Sequence, residues 1–409
     1  MNNFIHRKNN LCVENLLADK LAKKYKTPLY CYSLSQLKKN FYDFNNAFRA
    51  FKPLVCFSVK SNSNITLLKE LKKMGSGADV VSAGELLKVL KAGISPKKIV
   101  FSGVGKTEDE IKLAIKKGTL LINIESENEA HLINKISKKM NIKTAIGLRL
   151  NPNIIGRTHK KISTGGKHDK FGLSYQDCIN FCKKIDSLEN VQLNGLSVHI
   201  GSQITNVKPF KQVLDIINKI IKETRINFKF IDLGGGMGIS YTNKEKNLDL
   251  NQYAKLVNNF LKNKKTQIIF EPGRFIIGNT SILISKVIYI KKSNNKNFII
   301  LDAGMNDLMR PALYDAYHKI IPLKKNSKKI TGNIEFVGPI CESSDKFLNQ
   351  REFPKINEGD CVAITDVGAY GMSLSSNYNT RPIIAEVMID GSKHKLIRKR
   401  QSLKNLINN

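Results

Sequence analysis

The sequence predicts a (β/α)8 barrel followed by an all-β domain. Three observations carry this. From residue 54 to about 275, short apolar β-prone runs alternate with amphipathic stretches, which implies right-handed βαβ units and a parallel sheet. Roughly eight such units suggest a closed barrel rather than an open sheet. After about residue 277 the pattern changes to strands separated by turn residues, with little helix, as in an all-β domain. The run at 54–62, LVCFSVKSN, is apolar up to a single lysine, Lys60. It reads as a strand buried on both faces.

In order, the segment 1–33 carries an amphipathic piece over 13–25 and then TPLYCYS, which alternates like a strand. It is expected to pack with the β domain. The barrel is expected over 34–277 and the β domain over 278–409. A helix over 34–51 leads into LVCFSVK. Further strands are GADVVS, KKIVFSG, LLINIES, KTAIGLRLNP, VQLNGLSVHIGS, FKFIDLGGG and TQIIFEPG. Helices are expected over 64–74, 83–90, 107–117, 127–140, 209–223 and 250–261. Capping residues open several of them, such as the asparagines and serines after Lys60. Acidic residues follow Thr107 in a first turn. The later strands are SILISKVIYIKKS, KNFIILDAG, GNIEFVGPIC, DCVAITDVG and PIIAEVMID. The Gly-, Lys- and His-rich insert over 153–170 reads as a mobile loop near the site.

The formal net charge of +33 raises nucleic-acid binding. The lysines are scattered among asparagine and isoleucine rather than gathered in a stripe, and no nucleic-acid motif accompanies them. The charge therefore implies only weak, non-specific attraction to polyanions. No apolar stretch approaches a membrane span, and the N-terminus, MNNFIHRKNN, has no apolar signal core, so a cytoplasmic protein is expected. Seven cysteines without a CxxC indicate neither a disulfide framework nor a metal site.

Four features fall at barrel strand ends, where barrels carry their chemistry. They are Lys60, His199 with Ser202 in SVHIGSQ, the glycines 234–236, and Glu271-Pro272-Gly273-Arg274. Each alone has a plain reading. The lysine snorkels to solvent, the triple glycine makes a tight turn, the histidine is structural, and EPGR forms a surface ion pair. At successive strand ends of one barrel they suit a phosphorylated aldehyde cofactor, pyridoxal 5'-phosphate. Lys60 can form an imine with the aldehyde, and His199 can stack on the ring. Glu271 can keep a pyridine nitrogen protonated. Glycine N–H groups, Ser202 and Arg274 can surround the phosphate.

With these motifs, DAGMNDLMRPALYDAYH at 302–318, CESSD at 341–345, GAYGMSLSSNYNTRP at 368–382 and IRKRQSL at 397–403 make the chain resemble, nearly end to end, the diaminopimelate decarboxylases of the alanine racemase-like group. The resemblance implies pyridoxal phosphate as cofactor and decarboxylation of meso-2,6-diaminopimelate to L-lysine, the last step of lysine biosynthesis. It also implies a homodimer with shared active sites. Lys60 is similar to the family's Schiff-base lysine and His199 to its ring-stacking residue. Ser202, Gly235, Gly236, Glu271, Pro272, Gly273 and Arg274 resemble cofactor contacts. Arg274, Arg310 and Tyr314 resemble the groups for the substrate carboxylates, and Glu342 the contact to the distal ammonium. Tyr370 resembles a residue touching phosphate and substrate, and Cys341 the proton donor offered to the partner subunit's site. The residue types agree, since a substrate with two amino-acid ends needs a cation and an acid for its distal groups. As packing residues, Tyr314 and Tyr370 have a plain reading too. The chain departs from the family at Ser61, usually alanine, at Ser344, usually glycine, and at Ile383, often basic.

Other readings remain. Ornithine or arginine decarboxylation on the same scaffold would leave Arg310 without a distal carboxylate. Racemisation fits poorly with an acid at the pyridine nitrogen. A non-catalytic cofactor carrier would not need the β domain.

Overall fold

The computed structural model describes residues 3–154, 164–166, 168–242 and 246–408. Most of the expected 153–170 loop therefore lies outside the described residues. The chain divides into two units. One comprises Met1–Asn40, Ser240–Glu245 and Ile276–Asn409, and the other Phe41–Ile239 and Lys246–Phe275.

The second unit is a closed parallel barrel of eight strands: Leu54–Ser58, Gly77–Val80, Ile99–Phe101, Leu121–Ile124, Thr144–Leu150, Val191–Val198, Phe230–Asp232 and Gln267–Phe270. Because side chains alternate across a strand, residues two apart share a face. The inward positions read apolar, then polar, toward the C-terminal ends. Cys56 precedes Ser58, Val100 precedes Ser102, Leu121 precedes Asn123, and Ile269 precedes Glu271. Cys56, Val100, Leu121 and Ile269 form one buried apolar cluster inside the barrel. The floor is thus greasy and the layer above it hydrogen-bonding, which suits a site at that end.

The outward residue Phe270 anchors the same strand end from behind. Its ring lies 4.5 Å from Phe48 and 5.6 Å from Phe44, and Tyr253 meets it at 5.7 Å. Removing such a buried ring costs about 3–5 kcal/mol. The helices that follow the strands open on side-chain caps: Asn64 accepts from the Thr66 N–H, Ser82 from Glu85 and Ser126 from Glu129. Thr107 and Glu110 form a full capping box, and each such cap is worth about 1 kcal/mol.

The first unit is a nine-stranded sheet with a three-stranded N-terminal sheet. Its central strand is N-terminal. Leu29–Ser33 pairs antiparallel with Ser281–Ser293 and parallel with Ala385–Asp390, and all of its residues are buried. Leu29 and Cys31 pack with Ile282, Ile284, Val387 and Ile389 in one core. Strands the sequence reading did not mark are Phe4–Arg7, Asn10–Val13, Leu16–Leu17, Ile320–Pro322, Lys346–Pro354 and Lys393–Arg398. They are short, or, as in KFLNQREFP and KHKLIR, carry polar residues on both faces of edge strands.

Candidate active site

Lys60 does not lie in the strand itself. The strand ends at Ser58, and Lys60 sits half-buried in the short 3-10 turn Val59–Ser61. Ser61, where the family favours alanine, is fully buried, and its hydroxyl donates to the Ser58 carbonyl at 2.7 Å. The turn is held from outside as well, since the Ser58 N–H donates to the Pro272 carbonyl at 3.3 Å. A side chain at Gly273 would sit 3.0 Å from the Ser61 Cβ, so the EPGR turn closes directly onto the lysine turn.

The four motifs follow four strands that are neighbours in the barrel: 191–198, 230–232, 267–270 and 54–58. Their backbones interlock. The Gly235 N–H donates to His199 Nδ1 at 3.2 Å, and the Glu271 N–H donates to the Gly234 carbonyl at 2.8 Å. A Cβ at Gly235 would meet the Glu271 carbonyl at 2.2 Å, and one at Gly236 the Gly201 carbonyl at 2.4 Å. These glycines are there for close approach. The sequence reading gave glycine N–H groups to a phosphate, whereas the Gly235 N–H goes to the imidazole. Arg274 donates through Nη2 and Nε to Ser202 Oγ, at 3.0 and 3.3 Å. This joins the second and fourth motifs.

His199 accepts at Nδ1, so that nitrogen carries no proton. Burial, with the positive charges of Lys60 and Arg149 nearby, holds its pKa well below the ordinary histidine value. It is a neutral ring at neutral pH. Glu271 goes the other way. Burial first, then the charges of Asp232 and Asp79, push its carboxyl well above the usual carboxylate range, with Lys60 opposing. It shares a hydrogen bond with Asp232, itself raised by burial. Asp232 is fixed from three directions: by the Gly234 N–H at 2.9 Å, Asn123 Nδ2 at 3.0 Å and Ser197 Oγ at 3.3 Å. Asp79 accepts from Ser58 Oγ at 2.8 Å, while its other oxygen, Oδ1, is buried without a hydrogen-bond partner. Asp232, Asp79 and Asn123 escaped the sequence reading. Their signal was the inward alternation, which places polar residues two positions after apolar ones.

This arrangement fits pyridoxal phosphate. A cluster of buried carboxyls with an orphan oxygen favours a cationic ring nitrogen. A neutral imidazole can lie against such a ring without repelling it. The Ser202–Arg274 pair offers hydroxyl and guanidinium to a phosphate. An amine stands at the neighbouring strand end.

In the first unit the predicted residues fall into two groups. Arg310 opens the short helix Arg310–Tyr314 and is buried. Its guanidinium lies over the Tyr241 ring, 4.8 Å from the centroid, and Nη1 is 2.8 Å from His318 Nε2. Cys341 and Glu342 are exposed. The Glu342 carboxylate accepts from the Tyr378 hydroxyl and, at 2.9 Å, from Ser344 Oγ. Those two bonds hold its pKa below the usual carboxylate value. The backbone of Ser344 is not in the left-handed region, so serine in place of the family's glycine costs no strain there and adds a contact to the acid. Asp345 ties this turn to the 302–318 motif, accepting from the Met305 N–H and the Ile340 N–H at 2.7 Å each. Tyr370 has φ +57°, a strained conformation for a bulky side chain of the kind found at functional positions.

Residues 34–278 match the family model of the pyridoxal-dependent decarboxylases, pyridoxal binding domain. The chain is 43% identical to the diaminopimelate decarboxylase of Vibrio cholerae over 394 residues, which covers 95% of this chain and 94% of that one. The chain belongs to the diaminopimelate decarboxylase family. Two solved family members complexed with L-lysine have the same fold. The Helicobacter pylori enzyme superposes with a TM-score of 0.90 at 40% identity, covering 95% of this chain and 98% of that one. The enzyme from M. jannaschii gives 0.94 at 36% identity, covering 99% and 97%. Among the described residues no helix is long and apolar enough to cross a membrane.

Proposed function

We propose that the chain decarboxylates meso-2,6-diaminopimelate to L-lysine and carbon dioxide, with pyridoxal 5'-phosphate as cofactor. The observation that carries the reading is the buried Glu271 carboxyl, hydrogen-bonded to Asp232 at the strand end next to Lys60. When bound, the cofactor supplies an electron sink for the pair left behind as carbon dioxide departs. Glu271 is the proton-holding group for a ring nitrogen, because its surroundings already favour a positive or proton-bearing partner. That is what a decarboxylase needs from its sink, and a racemase less so.

The other roles follow from the chemistry of the side chains. Lys60 would provide the amine that holds the cofactor aldehyde. His199 presents a flat uncharged face. Ser202, Arg274, Gly235, Gly236, Pro272 and Gly273 make the phosphate end, with Tyr370 as a further contact. Arg310 and Tyr314 take the distal carboxylate and Glu342 the distal ammonium. Arg274 serves a substrate carboxylate as well. Cys341 Sγ gives a proton to the carbon that has lost its carboxylate. Cys341 and Glu342 are exposed on their own unit, which supports a homodimer in which each subunit lends them to the other. All seven cysteines are free thiols, which supports a cytoplasmic location.

The test is a turnover assay with added pyridoxal phosphate, offering meso-diaminopimelate, ornithine and arginine separately and measuring carbon dioxide and the amine formed. Lysine from diaminopimelate alone is expected. Putrescine or agmatine instead would move the protein to polyamine synthesis and overturn the roles of Arg310 and Glu342. Full turnover by both Lys60→Ala and Cys341→Ala would overturn the catalytic assignments.

A further inference from the structure

The 302–318 motif ends on a histidine that the decarboxylation scheme above leaves without a role. His318 is completely buried. Its ring nitrogens both have fixed neighbours. Nδ1 lies 2.8 Å from the Thr365 carbonyl oxygen, and Nε2 lies 2.8 Å from Arg310 Nη1. A carbonyl only accepts, so Nδ1 must carry the proton. A guanidinium only donates, so Nε2 must be bare. The two bonds together require one neutral tautomer, and protonation of the ring would break the second. Thr365 is itself held to this segment, because its N–H donates to the Lys319 carbonyl at 2.9 Å.

Arg310 is thereby gripped on two sides without losing its charge. Tyr241 lies flat beneath it, and meets His318 edge-on with centroids 5.5 Å apart and planes at 80°. A carboxylate partner at Nη1 would have neutralised the guanidinium. A neutral imidazole fixes its direction without adding a negative charge against it. Burial strengthens that attraction, since the charge is shielded from water.

We propose that His318 is a positioning residue for substrate selection: in its Nδ1–H form, braced by the Thr365 carbonyl and seated with Tyr241, it aims Arg310 at the distal carboxylate of the substrate. This rests on the reading of Arg310 given under the proposed function. In this role His318 acts through Arg310 rather than on the cofactor or the reacting atoms. Its effect is on recognition of one carboxylate, and it separates substrates that have that group from those that lack it.

The experiment uses the holoenzyme and the variants His318→Leu, His318→Gln and Tyr241→Leu. Glutamine can still donate to Thr365 and accept from Arg310. Two readouts are taken. One is kcat and KM for meso-diaminopimelate and for D-lysine, the same chain without the distal carboxylate. The other is calorimetric binding of L-lysine, which retains that carboxylate, and of cadaverine, which does not. His318→Leu is expected to raise KM for meso-diaminopimelate and Kd for L-lysine about 10–100-fold, the scale of a lost hydrogen bond to a charged group. The change in kcat is expected to be smaller. The preference for meso-diaminopimelate over D-lysine, and for L-lysine over cadaverine, falls by a similar factor. His318→Gln restores most of both preferences. Should His318→Leu not fold, Tyr241→Leu and the glutamine variant still decide the matter, because the first must lower the preference and the second must keep it. Equal losses on ligands with and without the distal carboxylate would overturn the proposal, as would unchanged preferences in a folded leucine variant. A wild-type enzyme that ignores meso-diaminopimelate would instead overturn the functional reading, a distinct outcome.

Discussion

Arg149 and Glu125 offer a direct test of how the active-site end of the barrel is held. Arg149 Nη1 donates to Glu125 Oε1 at 2.5 Å, with side-chain exposures of 9% and 2%. The other carboxylate oxygen accepts from the Gly172 N–H at 2.7 Å, and the guanidinium stacks 4.8 Å from the Phe171 ring. The pair therefore pins the chain at 171–172 to the ends of two neighbouring strands. Replacing Arg149 by methionine keeps the packing volume but leaves Glu125 as a buried, uncompensated anion. Removing one partner of such a pair costs about 3–5 kcal/mol. For a unit the size of this barrel that corresponds to a melting shift of about 6–20 °C. Urea and thermal unfolding followed by circular dichroism measure it. The double variant Arg149→Met with Glu125→Gln removes both charges and is expected to recover most of the loss, because a neutral pair needs no compensation. A loss below about 1 kcal/mol in Arg149→Met, the level of an exposed ion pair, would refute the reasoning. So would a double variant as unstable as the single one. A second consequence concerns His199, whose pKa Arg149 helps to hold low. Its imidazole is expected to titrate closer to the ordinary value in Arg149→Met, as read by NMR.

Three further outcomes are expected. Gly235→Ala places a Cβ 2.2 Å from the Glu271 carbonyl, so the GGG and EPGR turns must part; cofactor retention after dialysis is expected to fall sharply, and retention equal to wild type would contradict the interlock. In the cofactor-free protein, Glu271 keeps a proton that the unfolded chain has lost above its ordinary value of 4.5; a raised carboxyl stabilises the fold at low pH, and that contribution is lost as pH rises from there through the folded value. Glu271→Gln, which can still donate to Asp232, is expected to show a flatter fall in urea midpoint as pH rises above 4.5; a slope as steep as wild type would contradict this. Ser344→Gly removes the hydroxyl from Glu342 at an exposed position and is expected to change KM by about twofold only; a larger change would mean that the turn depends on the hydroxyl.

The barrel was legible because each buried parallel strand is a short apolar run between capped helices, and such runs have few other uses. The β unit was legible where a strand has a buried face, as in LYCYS or AEVMID, and not where it lies at an edge. KFLNQREFP and KHKLIR have no apolar stripe because water covers much of them, and periodicity carries no signal there. The site shows the same division. Lys60, His199, the glycines and EPGR stand out as unusual residues at strand ends, and a motif can carry that. The residues that tune them do not stand out. Asp232 and Asp79 matter because burial and mutual charge raise Glu271, and burial is a property of the closed barrel rather than of the IDL or ADV around them. His318 is one more polar residue in YDAYH until the strand ending at Thr365, nearly fifty positions away, supplies the carbonyl that fixes its tautomer. The order of dependence is therefore chemical groups first and their electrostatic settings second. The groups are local in sequence. The settings are made by long-range packing, so selectivity and proton placement in this family are expected to change most easily through residues such as His318 and Asp79, which no motif search marks.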